Sequence, residues 1–280
     1  MSESVTGLID RMAHVGLNHW GVVSAGRYDA SARAGVRTSD LFVDARSILV
    51  FASGGRALWD AFILDLSENP HHLVEEQHPL DAFVMRAVAE ASRSLEGMSH
   101  RWFYATTEAE IHLDFRTLAV TAGIGVPSRL GLVIDETYGP WMGLRAACML
   151  PVSLPETKAR IDLCSSCASP CISACPGSAL EGGQWSVDAC ASFHRESSRC
   201  ATHCDARAAC PVGDEHRYSK SQIRYHSNRE IGRAEIAQIL DIEDINSAIQ
   251  SIEEKKEELM EKCNDIESTM IRLGGGCKDI

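Results

Sequence analysis

Apolar residues recur at helical spacing over residues 4–16, where Val5, Leu8, Ile9, Met12 and Val15 share one face and Gly16 stands where a helix would stop. A short strand is expected over 20–23. Residues 25–40, rich in Gly, Ser, Ala and Arg, read as a long loop that suits a functional role and simple solvation equally well. The run 45–52 is largely apolar, the pattern of a strand covered on both faces, and Gly54-Gly55 ends it. Helical periodicity returns over 57–66 and 79–95, the second with Leu80, Phe83, Val84, Val88 and Ala91 along one side. His71, His72 and His78 lie in the loop between these helices, beside Glu75 and Glu76. They match no ligand motif and read as exposed loop residues.

Further along, 101–104 reads as a strand and 108–122 as a helix closed by a left-handed cap at Gly123. Residues 130–135 and 144–150 read as two strands around a turn at 137–140. Strands and helices thus alternate to about residue 155, which predicts an α/β or α+β core whose sheet is covered by helices. The stretch 235–273 keeps Ile236, Ile239, Ile245, Ile249 and Ile252 at helical spacing in a Glu-dense segment, and predicts an amphipathic helix or helical hairpin. Its apolar stripe suits the protein's own core, a docked partner or a homodimer.

Composition narrows the class. The chain has 280 residues, 45% of them hydrophobic, enough for one large domain and a smaller appendage. No run of eighteen apolar residues occurs and Met-Ser-Glu-Ser is no signal peptide, so a cytoplasmic protein without a membrane span is expected. A net charge of −12 argues against a nucleic-acid partner, which a basic surface would serve. Eleven cysteines without an export signal indicate thiols used as metal ligands.

Those cysteines carry the chemistry. Cys164, Cys167, Cys171 and Cys175-Pro176 form a short-spaced thiolate loop ending on Cys-Pro; Cys190, Cys200, Cys204 and Cys210-Pro211 follow more loosely and end the same way. In two-cluster ferredoxins the cysteine of each Cys-Pro ligates the other motif's cluster. The expected partition is therefore one [4Fe–4S] cluster on Cys164, Cys167, Cys171 and Cys210, and a second on Cys175, Cys190, Cys200 and Cys204. Structural zinc and disulfides are the plainer alternatives. Zinc ribbons pair C-x₂-C motifs fifteen or more residues apart, and disulfides belong to small secreted domains, so the spacing favours clusters. Cys148, in an apolar strand, reads as a core residue, and Cys263 and Cys277 as a buried and an idle thiol. His194, His203, His216 and His226 surround the module in surface or supporting roles, and Arg195, Arg199 and Arg207 lie among the thiolates, where a cation raises a cluster's potential.

Residues 122–145, with Ala-Gly-Ile-Gly, Leu-Gly-Leu-Val-Ile and Glu-Thr-Tyr-Gly-Pro-Trp-Met-Gly-Leu-Arg, resemble together with the cysteine module the core shared by epoxyqueuosine reductases and reductive dehalogenases. The nearest likeness is to bacterial ferredoxin-like members with Ala-Cys-Pro-Val-Gly-x-x-His-Arg-Tyr, here 209–218. The resemblance implies a nitroreductase-like sheet core, cobalamin, and two [4Fe–4S] clusters in which Cys190 is the isolated ligand between motifs. The family's proton-donating aspartate falls near Ala109, flanked by Glu108 and Glu110. The sequence departs from the family in having three residues between Cys167 and Cys171 and no transfer-RNA-gripping helical repeats.

Three segments follow: a cofactor-binding core, 1–158; a ferredoxin-like double-cluster module, 159–230; and an amphipathic helical tail, 231–280. The expected function is an iron–sulfur oxidoreductase relaying single electrons from a donor such as a flavoprotein or ferredoxin to a core cofactor, with cobalamin, flavin or none as its occupant, and thence to a small-molecule or cofactor substrate. Glu108, Glu110, Asp114 and Tyr138 are candidates for proton delivery or pocket lining, with ordinary surface or structural roles as the alternative. The competing expectation is a non-catalytic electron-transfer or cobalamin-trafficking protein acting with a partner.

Overall fold

A computed structural model describes residues 3–106 and 109–240. The elements begin with α1 (Glu3–His14), β1 (His19–Ser24), α2 (Ala25–Asp29), α3 (Thr38–Leu41), β2 (Ser47–Gly54), α4 (Ala57–Glu68), α5 (His71–Glu75), α6 (Pro79–Ala91) and β3 (Arg101–Tyr104). They continue with α7 (Phe115–Thr121), β4 (Val126–Pro127), β5 (Val133–Ile134), β6 (Met142–Leu150), α8 (Pro170–Ala174), α9 (Val187–Glu196), α10 (Asp205–Ala208), α11 (Lys220–Ser227) and α12 (Arg229–Ile239). No helix among the described residues is long and apolar enough to cross a membrane.

Four strands in the order β1-β2-β6-β3 form one antiparallel sheet covered by helices, the nitroreductase-like arrangement expected. Every residue of β2 is buried, which explains its unbroken apolar run: it is an inner strand with helices over both faces. Alternate residues face opposite ways. Leu49, Phe51, Ala146 and Cys148 join α1, α4, α6, Tyr225 of α11 and Ile236 of α12 in one cluster. Ile48, Val50, Ala147, Met149 and Phe103 meet Tyr28, Leu41, Leu118 and Ile124 in the other. Cys148 is thus a core residue whose thiol burial pushes up.

Several sequence expectations need correction. The stretch 25–40 carries α2 and α3 at its two ends, with 30–37 a loop between them, and is pinned where Asp29 accepts hydrogen bonds from the Thr38 backbone and hydroxyl at 2.7 and 2.6 Å. Helix 108–122 shrinks to α7, because Asp114 caps it by accepting from Thr117 N at 3.0 Å. The strand expected over 130–135 is only β5, paired with β4 outside the main sheet. Gly131, at φ +73, turns the chain beneath the Trp185 indole. His71 and His72 belong to α5 rather than to a loop. The amphipathic pattern from 235 is seen as α12 up to Ile239; its continuation, with Cys263 and Cys277, lies outside the described residues.

Phe51, fully buried with its ring 6.0 Å from that of Trp102, is the largest side chain of the inner strand. Phe51→Ala should cost about 3–5 kcal/mol, read as a lower urea midpoint with an unchanged slope.

Candidate metal centre

After β6 the chain runs along the open edge of β1, where Val22 and Thr157 exchange two hydrogen bonds, from Val22 N to Thr157 Oγ1 at 2.9 Å and from Thr157 N to Val22 O at 3.1 Å. Arg160 then donates to Gly123 O at 3.1 Å and pairs with Glu136 at 2.8 Å, fixing the entry to the cysteine segment. That segment has a small core of its own, built from Cys171, Leu180 and Ala206.

The eight cysteines fall into two neighbourhoods. Cys164, Cys167, Cys171 and Cys210 line one small cavity, closed on the core side by Ser128, Leu130 and Ile134. Burial raises the Cys171 thiol, and so do Cys210, Cys164 and Cys167 beside it. Cys200 is raised by burial and by Cys204, Asp205, Cys175 and Cys190. Crowded thiols resist losing their protons together, a cost that a bound cation removes. Backbone groups already aid two of them: N–H donors of Arg207 and Ala206 favour thiolate at Cys204, and that of Val212 does so at Cys210, although desolvation by the surrounding chain leaves both raised, Cys204 despite its exposed position. All eight are free thiols. Among the described residues no group of three or more His, Cys, Asp or Glu side chains closes on a single metal ion.

The first neighbourhood touches the core through bare backbone. A Cβ on Gly139 would stand 1.9 Å from Val212 O, and one on Gly213 would stand 2.2 Å from the Tyr138 carbonyl carbon. Their φ values of +54 and +71 are also ones that glycine tolerates best. Tyr138 lies just beneath, its ring 4.8 Å from His216 and 5.5 Å from His19. Burial and the nearby Asp135 raise its phenol. Asp135, 1% exposed, accepts from the Thr137 and Tyr138 backbone and stands 3.6 Å from His19 Nε2.

The other proposed acid–base residues lie apart. Glu110 lines a cavity of about 470 Å³ at the free edge of β3, with Glu76, Asp81, Trp102, Tyr104 and Arg101. Asp114 is a helix cap; burial would raise its carboxyl, but hydrogen bonds from Thr117 and Arg116 bring it below its ordinary value. Glu108 lies outside the described residues. Sequence reasoning passed over Trp141, 1% exposed and stacked at the seam, and the setting of His226. The rings of Tyr218, Tyr225 and Trp59 lie 5.5, 5.9 and 6.3 Å from the His226 imidazole. One side of His226 meets solvent, yet the enclosure, with Arg145 and Arg207 nearby, pushes its pKa down to about 3.

No protein-family model and no curated protein matches this sequence. Its fold is nevertheless similar to that of several solved structures. It superposes on epoxyqueuosine reductase from Streptococcus thermophilus with a TM-score of 0.53 at 16% identity, covering 76% of this chain and 66% of that one, so it spans just under two thirds of that enzyme. Epoxyqueuosine reductase crystallised with an epoxyqueuosine-modified tRNA stem loop gives 0.53 at 16% identity, with coverages of 77% and 67%. The B12-trafficking protein CblC of C. elegans gives 0.57 at 14% identity, covering 85% of this chain and 95% of that one.

The pKa of His226 carries a pH signature. An unfolded chain protonates the imidazole near pH 6.5 while the fold holds it neutral to about 3, so stability is full above 6.5 and falls as pH drops through that window. Between pH 7 and pH 5 the wild-type Tm should fall further than that of His226→Gln; equal falls would mean the ring is not shielded.

Proposed function

We propose that the chain is an iron–sulfur protein in which Cys164, Cys167, Cys171 and Cys210 hold one [4Fe–4S] cluster and Cys175, Cys190, Cys200 and Cys204 a second, the pair passing single electrons to a cobalamin bound by the core. The observation that carries this reading is the sorting of eight free thiols into these two neighbourhoods, with the Cys210 set against the core. The donor set fits: four thiolates per site are what a cubane needs. A cubane spreads its ligands over several irons, so they stand further apart than the thiolates of one tetrahedral zinc, each about 2.3 Å from the ion.

The order of transfer follows from position. Cys204 is exposed, which makes the second cluster the entry point for a flavoprotein or ferredoxin donor. The first cluster abuts Leu130, Ile134 and the Tyr138–Gly139 backbone, which makes it the outlet to the core. Residues 1–158 hold the acceptor. Cobalamin chemistry enters through the fold shared with epoxyqueuosine reductase and CblC, and when bound it supplies a cobalt centre that changes oxidation state and carries the reactive bond. The cavity at β3 combines aromatic walls, Trp102 and Tyr104, with the polar side chains of Gln77, Asp81 and Glu110, a lining suited to a flat macrocycle rimmed by amides. Glu110 is the acid best placed there to give a proton to substrate. Asp114, committed to α7, is a structural cap. A trafficking role is the second reading, favoured by the span of this chain over 95% of CblC.

Anaerobically purified protein should contain about eight irons and eight sulfides per chain, be brown, and change its visible spectrum on addition of cob(II)alamin. Zinc in place of iron would reject the reading; a full iron complement with no response to cob(II)alamin would leave a two-cluster electron carrier.

A further inference from the structure

Three arginines lie among the cysteines, and the structure separates them. Arg199 is spent on Asp205 at 3.0 Å and is mostly exposed. Arg195 reaches only Ser192, at 3.4 Å, and is exposed. Arg207, in α10 between Cys204 and Cys210, is held differently. Its Nε and Nη2 donate to Pro140 O at 3.1 and 2.6 Å. The guanidinium carbon stands 4.9 Å from the Trp141 ring and 4.8 Å from the Tyr218 ring, both of them buried. Among the described residues it forms no ion pair. A planar cation fixed between two aromatic faces keeps its charge at one place and loses little by being ordered there.

We propose that Arg207 is a positioning residue of the electron relay: its clamped, uncompensated cation raises the reduction potential of the cluster on Cys204 while tying that cluster's helix to the core at Pro140. The inference rests on the two-cluster reading above. Reduction adds negative charge to a cluster, and a cation nearby in a partly enclosed site stabilises that charge. Arg207 stands at the third position of α10, whose N-cap is Cys204, and so lies within one helical turn of that ligand. Arg217 also faces Trp141, at 5.1 Å, but is neutralised by Asp214. The cluster on Cys204 therefore takes up an electron more readily with Arg207 in place than without it.

The test is an EPR-monitored redox titration of the full-length, cluster-loaded wild type and of Arg207→Met and Arg207→Lys. The methionine fills the slot between the rings without charge and should shift one couple, the one lost in Cys204→Ser, to lower potential while leaving the other in place. The lysine keeps the charge but not the fork, and should hold most of that potential while lowering Tm. Arg207→Gln, which keeps a donor to Pro140, replaces the methionine variant if that does not fold. Neutral variants that hold both clusters at wild-type potentials, with only Tm reduced, would overturn the inference and leave Arg207 a structural clamp. A wild type without iron would remove the two-cluster reading as well, so the two failures are distinguishable.

Discussion

The arrangement depends on one close approach, that of Gly139 in the core and Gly213 after the last cysteine. A Cβ on either would run into the backbone of the other segment. That contact brings Cys210 against the core although it lies 35 residues after Cys175, the end of the first motif. Tyr138 sits directly beneath, packed so closely on Gly54 that a Cβ there would lie 2.5 Å from its ring. The end of β2, the Tyr138 turn and the chain after Cys210 are consequently stacked in contact. The inner cysteine set is thus packed directly against the end of the sheet. Farther along, α11 and α12 return to the core through Tyr225, Ile236 and Ala237 on the face covered by α1, α4 and α6, whereas Tyr138 packs on the other.

Electrostatics is managed by separation along this seam. Thiols are gathered where burial and mutual repulsion oppose ionisation, a state that bound iron would relieve. Cations are set behind them: Arg207 and Arg217 against Trp141, and Arg145 deeper, donating to Ser53 Oγ at 3.2 Å and facing Asp81 at 3.9 Å. Arg145 thereby links the region around His226 to the cavity at β3, because Asp81 lines that cavity and Arg145 contributes to the field at His226. The gathered thiols, these cations and the acid-lined cavity follow one another from the cysteine segment into the core.

The sheet was largely legible in the sequence because each strand has a plain apolar pattern. The expected segments 20–23, 45–52, 101–104 and 144–150 all lie within or overlap observed strands. The order β1-β2-β6-β3 was not legible, since a period of two assigns faces and says nothing about neighbours. The helix over 108–122 was misjudged at its start, where Asp114 is a polar cap that periodicity alone ignores, and the strand over 130–135 was overextended through a glycine that turns under Trp185. The pairing of cysteines was suggested by spacing because Cys-Pro motifs carry a geometric rule. The setting of His226 and the burial of Trp141 left no sequence signal, because both arise where segments more than sixty residues apart meet.

The central claim is two adjacent clusters on interleaved ligands, and the most direct measurement is the EPR spectrum of the protein fully reduced under anaerobic conditions. The account predicts two spins per chain whose signals are broadened and split by mutual interaction, because Cys204 and Cys210 are separated only by the short α10. One isolated signal integrating to a single spin, or none from a colourless protein, would contradict it.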